Sequence, residues 1–268
     1  DFSTKSTKNL FKNLSITFLQ KRKVAYMFSL SLLTIGIFSL FTNGLNQGVD
    51  FVGGRSYTVR FEGNVNQGEI QSDLIAVLGS AEAKTYGSDN QLKITTNYKV
   101  DVEGSEVDSE IQQIMFSSLK KHLPQNLIYD DFVNGADDKQ VGIMSSIKVG
   151  PTIADDIKKN SFLAIFGSLI VVFLYILIRF RDWQYSLGAV AAVFHDVLVV
   201  LGFFSIAYTW MPFNMEINQA FIAAILTVIG YSLNDTVVVF DRIREFRLIN
   251  KSWEFTRIIN GALNSTLS

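Results

Sequence analysis

His195, Asp196, Asn234 and Asp235 are polar or ionisable, yet each lies inside a long apolar run. A charge at the centre of a membrane-spanning helix costs at least about 2.5–3.5 kcal/mol, so such residues face other helices or water and often mark ion or proton routes. A carboxylate in that setting can carry protons. Desolvation disfavours its charged form and a nearby cation favours it, so moving the cation or admitting water switches its charge.

The spacing adds detail. Thr227, Tyr231, Asn234 and Asp235 fall at i, i+4, i+7 and i+8, which predicts one polar face on a helix. Asp235 then lies about 8 Å from the Phe240 end, and His195 about 15 Å into its own run. Adjacent helical residues point about 100° apart, so His195 and Asp196 are expected to have different partners. Gly188, Ala191, Ala192 and His195 share a face of mostly small residues suited to close helix contact. The plainer alternatives are a carboxylate that only fixes packing and a neutral imidazole that only bonds in the core. An aspartyl protease built on Asp196 and Asp235 fits poorly, because their depths differ by about 7 Å and no G-x-G-D motif is present.

These residues need membrane helices to hold them. A bilayer core of about 30 Å takes about 20 apolar residues. Residues 24–41 and 161–178 contain no charge, and 185–208 and about 218–240 are the other two apolar windows. The first is no cleaved signal peptide, since 23 residues precede it and no A-x-A site follows. Lys5, Lys8, Lys12, Lys21, Arg22 and Lys23 precede the first window, Arg179 and Arg181 separate the second from the third, and Arg242, Arg244, Arg247, Lys251 and Arg257 follow the fourth. Positive charge stays on the inner side, so the N-terminus is expected to be cytoplasmic, with residues 44–158 and 209–217 across the membrane. Leu10, Leu14 and Phe18, interleaved with lysines, suggest a short helix lying on the inner surface. Residues 241–249 are expected to continue the fourth helix as a charged extension.

The net charge is −1, which argues against nucleic acid as a partner. Cysteine is absent and His122 and His195 are the only histidines, so thiol catalysis, cysteine-ligated metals and a histidine-rich metal site are excluded. Neither a cofactor nor an enzymatic activity is expected.

The insert of residues 44–158 is polar and periodic. Arg55–Glu62 alternates as a strand, and Gln67–Leu78 reads as a helix with Ile70, Leu74, Ile75 and Leu78 inward. Ala81–Tyr86 and Gln91–Tyr98 read as a hairpin around GSDN. Glu106–Leu123 reads as a helix with Ile111, Ile114, Met115 and Leu119 inward, and Asn126–Val133 and Lys139–Val149 as a last strand pair around NGADD. The order is the β-α-β-β-α-β ferredoxin-like pattern with one extra strand. His122 reads as a solvated cap near a helix end. In Gly48-Val49-Asp50-Phe51-Val52-Gly53-Gly54, Asp50 lies in a turn whose Gly53 and Gly54 permit positive φ, as a hinge or as a fixed turn.

GVDFVGG after the first window, VGPTIADDI before the second, FHDV in the third and VIGYSLNDTVVVFDRIRE in the fourth resemble the SecF family, the partners of SecD in bacterial protein export. The resemblance covers about residues 20–268 and implies the resistance-nodulation-division superfamily. It implies a membrane α-helical protein with a periplasmic α+β ferredoxin-like insert, and four visible spans out of an expected six. The leading Asp1 and the cytoplasmic lead suggest the SecF half of a fused SecDF chain. The implied activity is proton-motive-force-driven promotion of late, periplasmic-side preprotein translocation in the bacterial inner membrane. The implied partners are SecD, the SecYEG translocon and unfolded preprotein, with YidC and YajC as further candidates. Asp235 carries over as the proton-carrying carboxylate with Asn234 beside it, and Asp196 and His195 carry over with them. The arginine that the family places just after the segment ending at Ser268 is its natural partner for Asp235. A small-molecule or lipid exporter half of the same superfamily, or a passive translocon anchor, are the competing readings.

Overall fold

The computed structural model describes residues 16–102, 104–134 and 140–267. The surface helix expected around Leu10 and Leu14 and most of the NGADD turn lie outside them. In chain order the elements are α1 (Phe18–Thr42), α2 (Val49–Val52), β1 (Gly54–Arg60), α3 (Gln67–Leu78), β2 (Glu82–Tyr86), β3 (Ser88–Thr96), α4 (Ser105–Leu119), α5 (Tyr129–Asn134), β4 (Gly142–Val149), α6 (Pro151–Phe180), α7 (Trp183–Ala207), α8 (Gln219–Ile249) and α9 (Phe255–Leu267). Helices α1, α6, α7 and α8 are long and apolar enough to cross a membrane. Helix α8 runs on to Ile249 through the charged stretch.

Two compact units divide the chain. One comprises Gly44–Ala164 and Phe204–Ala223. Its antiparallel sheet has the order β2-β3-β1-β4, the order of a ferredoxin-like sheet. In β1, Arg55 pairs with Thr96 of β3 and Gly54 with Val149 of β4, and a bulge interrupts the second pairing after Thr58. The core lies between the sheet and the helices. Tyr57, Val59, Leu92 and Ile94 meet Ile70, Leu74, Leu78, Ile111, Met115 and Leu119. Burying each such large apolar side chain contributes about 1.5–3 kcal/mol. Helix α3 has polar punctuation at both ends. The Asn66 side chain accepts from the Gly68 and Glu69 amides, and Gly79 closes the helix at φ +73°.

Four expectations for this unit are corrected. Asn126–Val133 is not a strand: Tyr129–Asn134 is helix α5. Adjacent Asp130 and Asp131 suit a first helical turn, and Phe132 is buried with its ring 5.4 Å from that of Phe116. Ile75 is 41% exposed, so the inner face of α3 is Ile70, Leu74 and Leu78. His122 is no solvated cap. Its side chain is 14% exposed, and Nε2 points towards Asp73 at 3.6 Å and Glu69 at 3.8 Å, with Lys121 bonded to both carboxylates. The hairpin turn is also tighter than GSDN, pivoting at Gly87 with φ +82°.

The other unit comprises the described residues up to Asn43 with Ile165–Phe203 and residues from Ala224 on. Its α7 buries Ser186, Ala189, Val193 and Val197, spaced as one helix face. Gly188 and Ala191 are exposed, so the packing face is offset from the small-residue face expected. Phe180, Tyr185 and Phe240 close one end of α6, α7 and α8, with ring centroids 4.9–5.9 Å apart. Beside them Arg179 pairs with Asp241 at 2.9 Å. Helix α9 packs on the start of α1. Asn264 and Asn260, one turn apart, accept the Ile16 and Leu19 amides at 2.9 and 3.0 Å. The Leu19 amide is a donor that a helix start leaves without an intrahelical partner, and Ile16 lies just before the N-cap Thr17.

Candidate functional site

The four membrane residues singled out by type form two arrangements within one unit. The first is a chain of hydrogen bonds across α1, α7 and α8. Ser29 of α1 lies 2.6 Å from His195 Nε2. His195 Nδ1 lies 3.0 Å from Asp196 Oδ1, and Ser232 of α8 donates to Asp196 Oδ2 at 2.6 Å. With the Asp196 carboxylate ionised, Nδ1 carries the ring proton and Nε2 accepts the Ser29 hydroxyl. The hydroxyls and the imidazole both donate and accept, and the ionised carboxylate accepts from both sides, so the hydrogen bonds converge on Asp196.

His195 and Asp196 do have partners on different helices, as their angular separation implies. They also bond each other, which rotamer choice makes possible for adjacent residues. Ser29 and Ser232 gave no sequence signal, since a serine in an apolar helix usually bonds back to its own carbonyls. Ser31 does so, donating to Met27 O at 2.8 Å.

The second arrangement is the polar face of α8. Tyr231 is 69% exposed, and Asn234 and Asp235 are exposed as well. Thr227, Gly230, Tyr231 and Asn234 line an open recess of about 370 Å³. Asp235 is therefore not brought to Asp196, although Ser232, three residues earlier, bonds Asp196. Asp235 faces away from the described residues that surround Asp196.

Close backbone contact brings α1 and α7 together. A Cβ built on Gly202 would stand 2.7 Å from the Gly36 Cα. This crossing, rather than Gly188, is where small residues let two helices touch, and glycines inside two apolar spans are the signal that could have located it.

The residues of the GVDFVGG stretch lie in the other unit, where Asp50 sits on the short helix α2 rather than in a turn. Asp50 Oδ2 accepts the Gln219 amide at 2.9 Å, and Asn218 accepts the Phe221 amide, so both carboxylate and amide side chains cap the start of α8. Gly53 sits at φ +75° and Gly54 at φ +122°. A Cβ on Gly54 would stand 2.7 Å from the Thr96 carbonyl oxygen. Next to them Arg55, 2% exposed, is paired with Asp108 and directs its other donors to the carbonyls of Tyr98, Lys99 and Val102.

These two regions match known families. The family described as protein export membrane protein SecD/SecF, C-terminal, matches residues 129–268, and the SecD/SecF GG motif matches residues 38–65. A protein translocase subunit SecF from Rhodothermus marinus is 41% identical over 97% of this chain and 78% of that protein. The chain belongs to the SecD/SecF family. The first match spans His195, Asp196, Asn234 and Asp235 of this SecF-family chain, and the second spans Asp50, Gly53 and Gly54. A SecF subunit from Vibrio alginolyticus is 35% identical over 95% of the chain and 73% of its own length. Among solved structures, the translocon-associated membrane protein SecDF of Thermus thermophilus superposes with a TM-score of 0.75 at 26% identity. That likeness covers 95% of this chain and 31% of the SecDF chain.

Proposed function

We propose that this SecF-family chain works with a SecD half or subunit in the bacterial inner membrane, using the proton-motive force to promote late, outer-side steps of preprotein translocation through the Sec translocon. The observation that carries the reading is the exposed polar face of α8. Tyr231, Asn234 and Asp235 point outward from a helix long and apolar enough to span a membrane. Lipid is a poor neighbour for that face, since an ionised carboxylate there costs several kcal/mol. A second protein surface, or water held by one, is the physically acceptable neighbour, and a SecD half supplies such a surface.

In this reading Asp235 takes up and releases protons at that interface, with Asn234 as a neighbouring hydrogen-bonding group. The Ser29–His195–Asp196–Ser232 chain is a second protonatable element that joins three helices of the same unit. The N-terminus is cytoplasmic, and the ferredoxin-like unit is the periplasmic part that follows the helices. Gly53 and Gly54 serve there as a fixed turn. The approach of Gly54 to the Thr96 carbonyl supports that over a hinge. Unfolded preprotein is the cargo.

The test is preprotein export into inverted membrane vesicles containing the complete SecD–SecF assembly. A proton gradient is expected to raise the yield of completed export, and a protonophore to remove that gain. Equal export with and without the gradient contradicts the reading.

A further inference from the structure

The ferredoxin-like unit contains a buried charged cluster. The segment 208–218, which joins α7 to α8, belongs to that unit and runs along the sheet. It exchanges backbone hydrogen bonds with β2, Thr85 N to Pro212 O and Asn214 N to Thr85 O. It does the same with the stretch before α2, Ile217 N to Asn46 O and Gly48 N to Ile217 O. From this segment Glu216 reaches the sheet with a side chain 3% exposed, and it pairs there with Lys93, 10% exposed. Glu216 also accepts the Thr95 hydroxyl at 3.0 Å. Lys93 and Thr95 alternate along β3 and so present one face. Glu82 of β2 lies close by and accepts from Asn46 at 2.9 Å.

A buried ion pair is a poor device for stability, because desolvation offsets most of its attraction. Removing one partner, however, is severe, and the pair fixes one geometry. Met215 and Ile217, each 6% exposed, already bury apolar surface on either side of Glu216. An apolar side chain at 216 would hold the segment as well without fixing its register.

We propose that Glu216 and Lys93 form a latch that fastens the α7–α8 connection to the inner strand β3, so that displacement of these two helices pulls the ferredoxin-like unit as one body. They are positioning residues for coupling, outside the proton path. The proposal rests on the proton-driven reading above, and its failure can be told apart from the failure of that reading.

The experiment measures proton entry and export stimulation together in vesicles carrying the full assembly. Glu216→Gln is expected to leave proton entry intact while gradient-driven stimulation falls by about fivefold or more, the low end of ordinary coupling free energies. A disulfide between Thr85→Cys and Phe213→Cys, at an adjoining bridge of the same segment, is expected to restore stimulation in the Glu216→Gln background. Unchanged stimulation in Glu216→Gln overturns the latch, and so does a stapled Glu216→Gln protein that still lacks stimulation or proton entry. Asp235→Asn is the control. It is expected to lose stimulation with or without the staple, and if it keeps stimulation, the underlying proton reading fails instead.

Discussion

Gly202 of α7 meets Gly36 of α1 backbone to backbone, with room for no methyl group between them: a Cβ on Gly202 would stand 2.7 Å from the partner Cα, and one on Gly36 would stand 3.1 Å from the Gly202 Cα. The contact fixes the separation of two helices that also share the Ser29–His195 hydrogen bond. Gly202→Leu is expected to force them apart and destabilise the helical unit by about 1–3 kcal/mol, as overpacking does. Gly36→Ala, with slightly more room, is expected to cost less. Thermal unfolding in detergent checks both values.

Ser232→Ala removes the only hydroxyl that donates to Asp196 Oδ2 among the described residues. The Asp196 side chain is 42% exposed, so water can replace the lost donor and the cost in stability is expected to be small. Ser232→Thr keeps the hydroxyl and is expected to stay near the parent. The check is gradient-driven export together with unfolding. Loss of export in Ala and retention in Thr fit a role for this hydrogen-bonded chain, and equal behaviour of the two variants does not.

Much of this was legible from residue type and period. The four apolar windows, the sheet strands, helix α3 and the face Ile111, Met115 and Leu119 follow from patterns that burial imposes on any chain. The short α5 was misread because Tyr129–Asn134 is too short for period to decide, and only packing of Phe132 against Phe116 does so. Asp235 could be found from its surroundings in sequence. Its relation to Asp196 could not, because helix rotation about the bundle sets which face turns inward. Glu216 left no trace either: a lone acid in a short polar connection looks the same whether it is solvated or buried on a strand.

Gly54 combines φ +122° with backbone contact to Thr96. Gly54→Ala therefore meets both strain and a clash, and is expected to cost about 1–3 kcal/mol. Asp50→Ala removes a cap from α8 at a cost of about 0.5–2 kcal/mol. Hydrogen exchange separates the two, with β1 and β3 amides opening in Gly54→Ala and the first turn of α8 opening in Asp50→Ala.

Asp108 sets an acid limit on the ferredoxin-like unit. Burial pushes its carboxyl up, but hydrogen bonds and charge from Arg55 and Lys148 outweigh that and hold it below its ordinary value of 3.8. A carboxyl lowered in the folded state adds stability that is complete above its unfolded value and is lost as pH falls through the lower folded value. Protection of β1 amides is therefore expected to fall below about pH 4. Asp108→Asn is expected to be less stable at neutral pH and to show a flatter acid dependence. An unchanged acid profile in Asp108→Asn contradicts the assignment.

The central claim is that the outward-facing acid on α8 handles protons. The most direct measurement is gradient-driven preprotein export by the full SecD–SecF assembly carrying Asp235→Asn, beside the parent and Asp235→Glu. The account expects normal assembly of all three, no gradient response with Asn, and a partial response with Glu, which keeps a titratable carboxyl. A full gradient response from Asp235→Asn would contradict it.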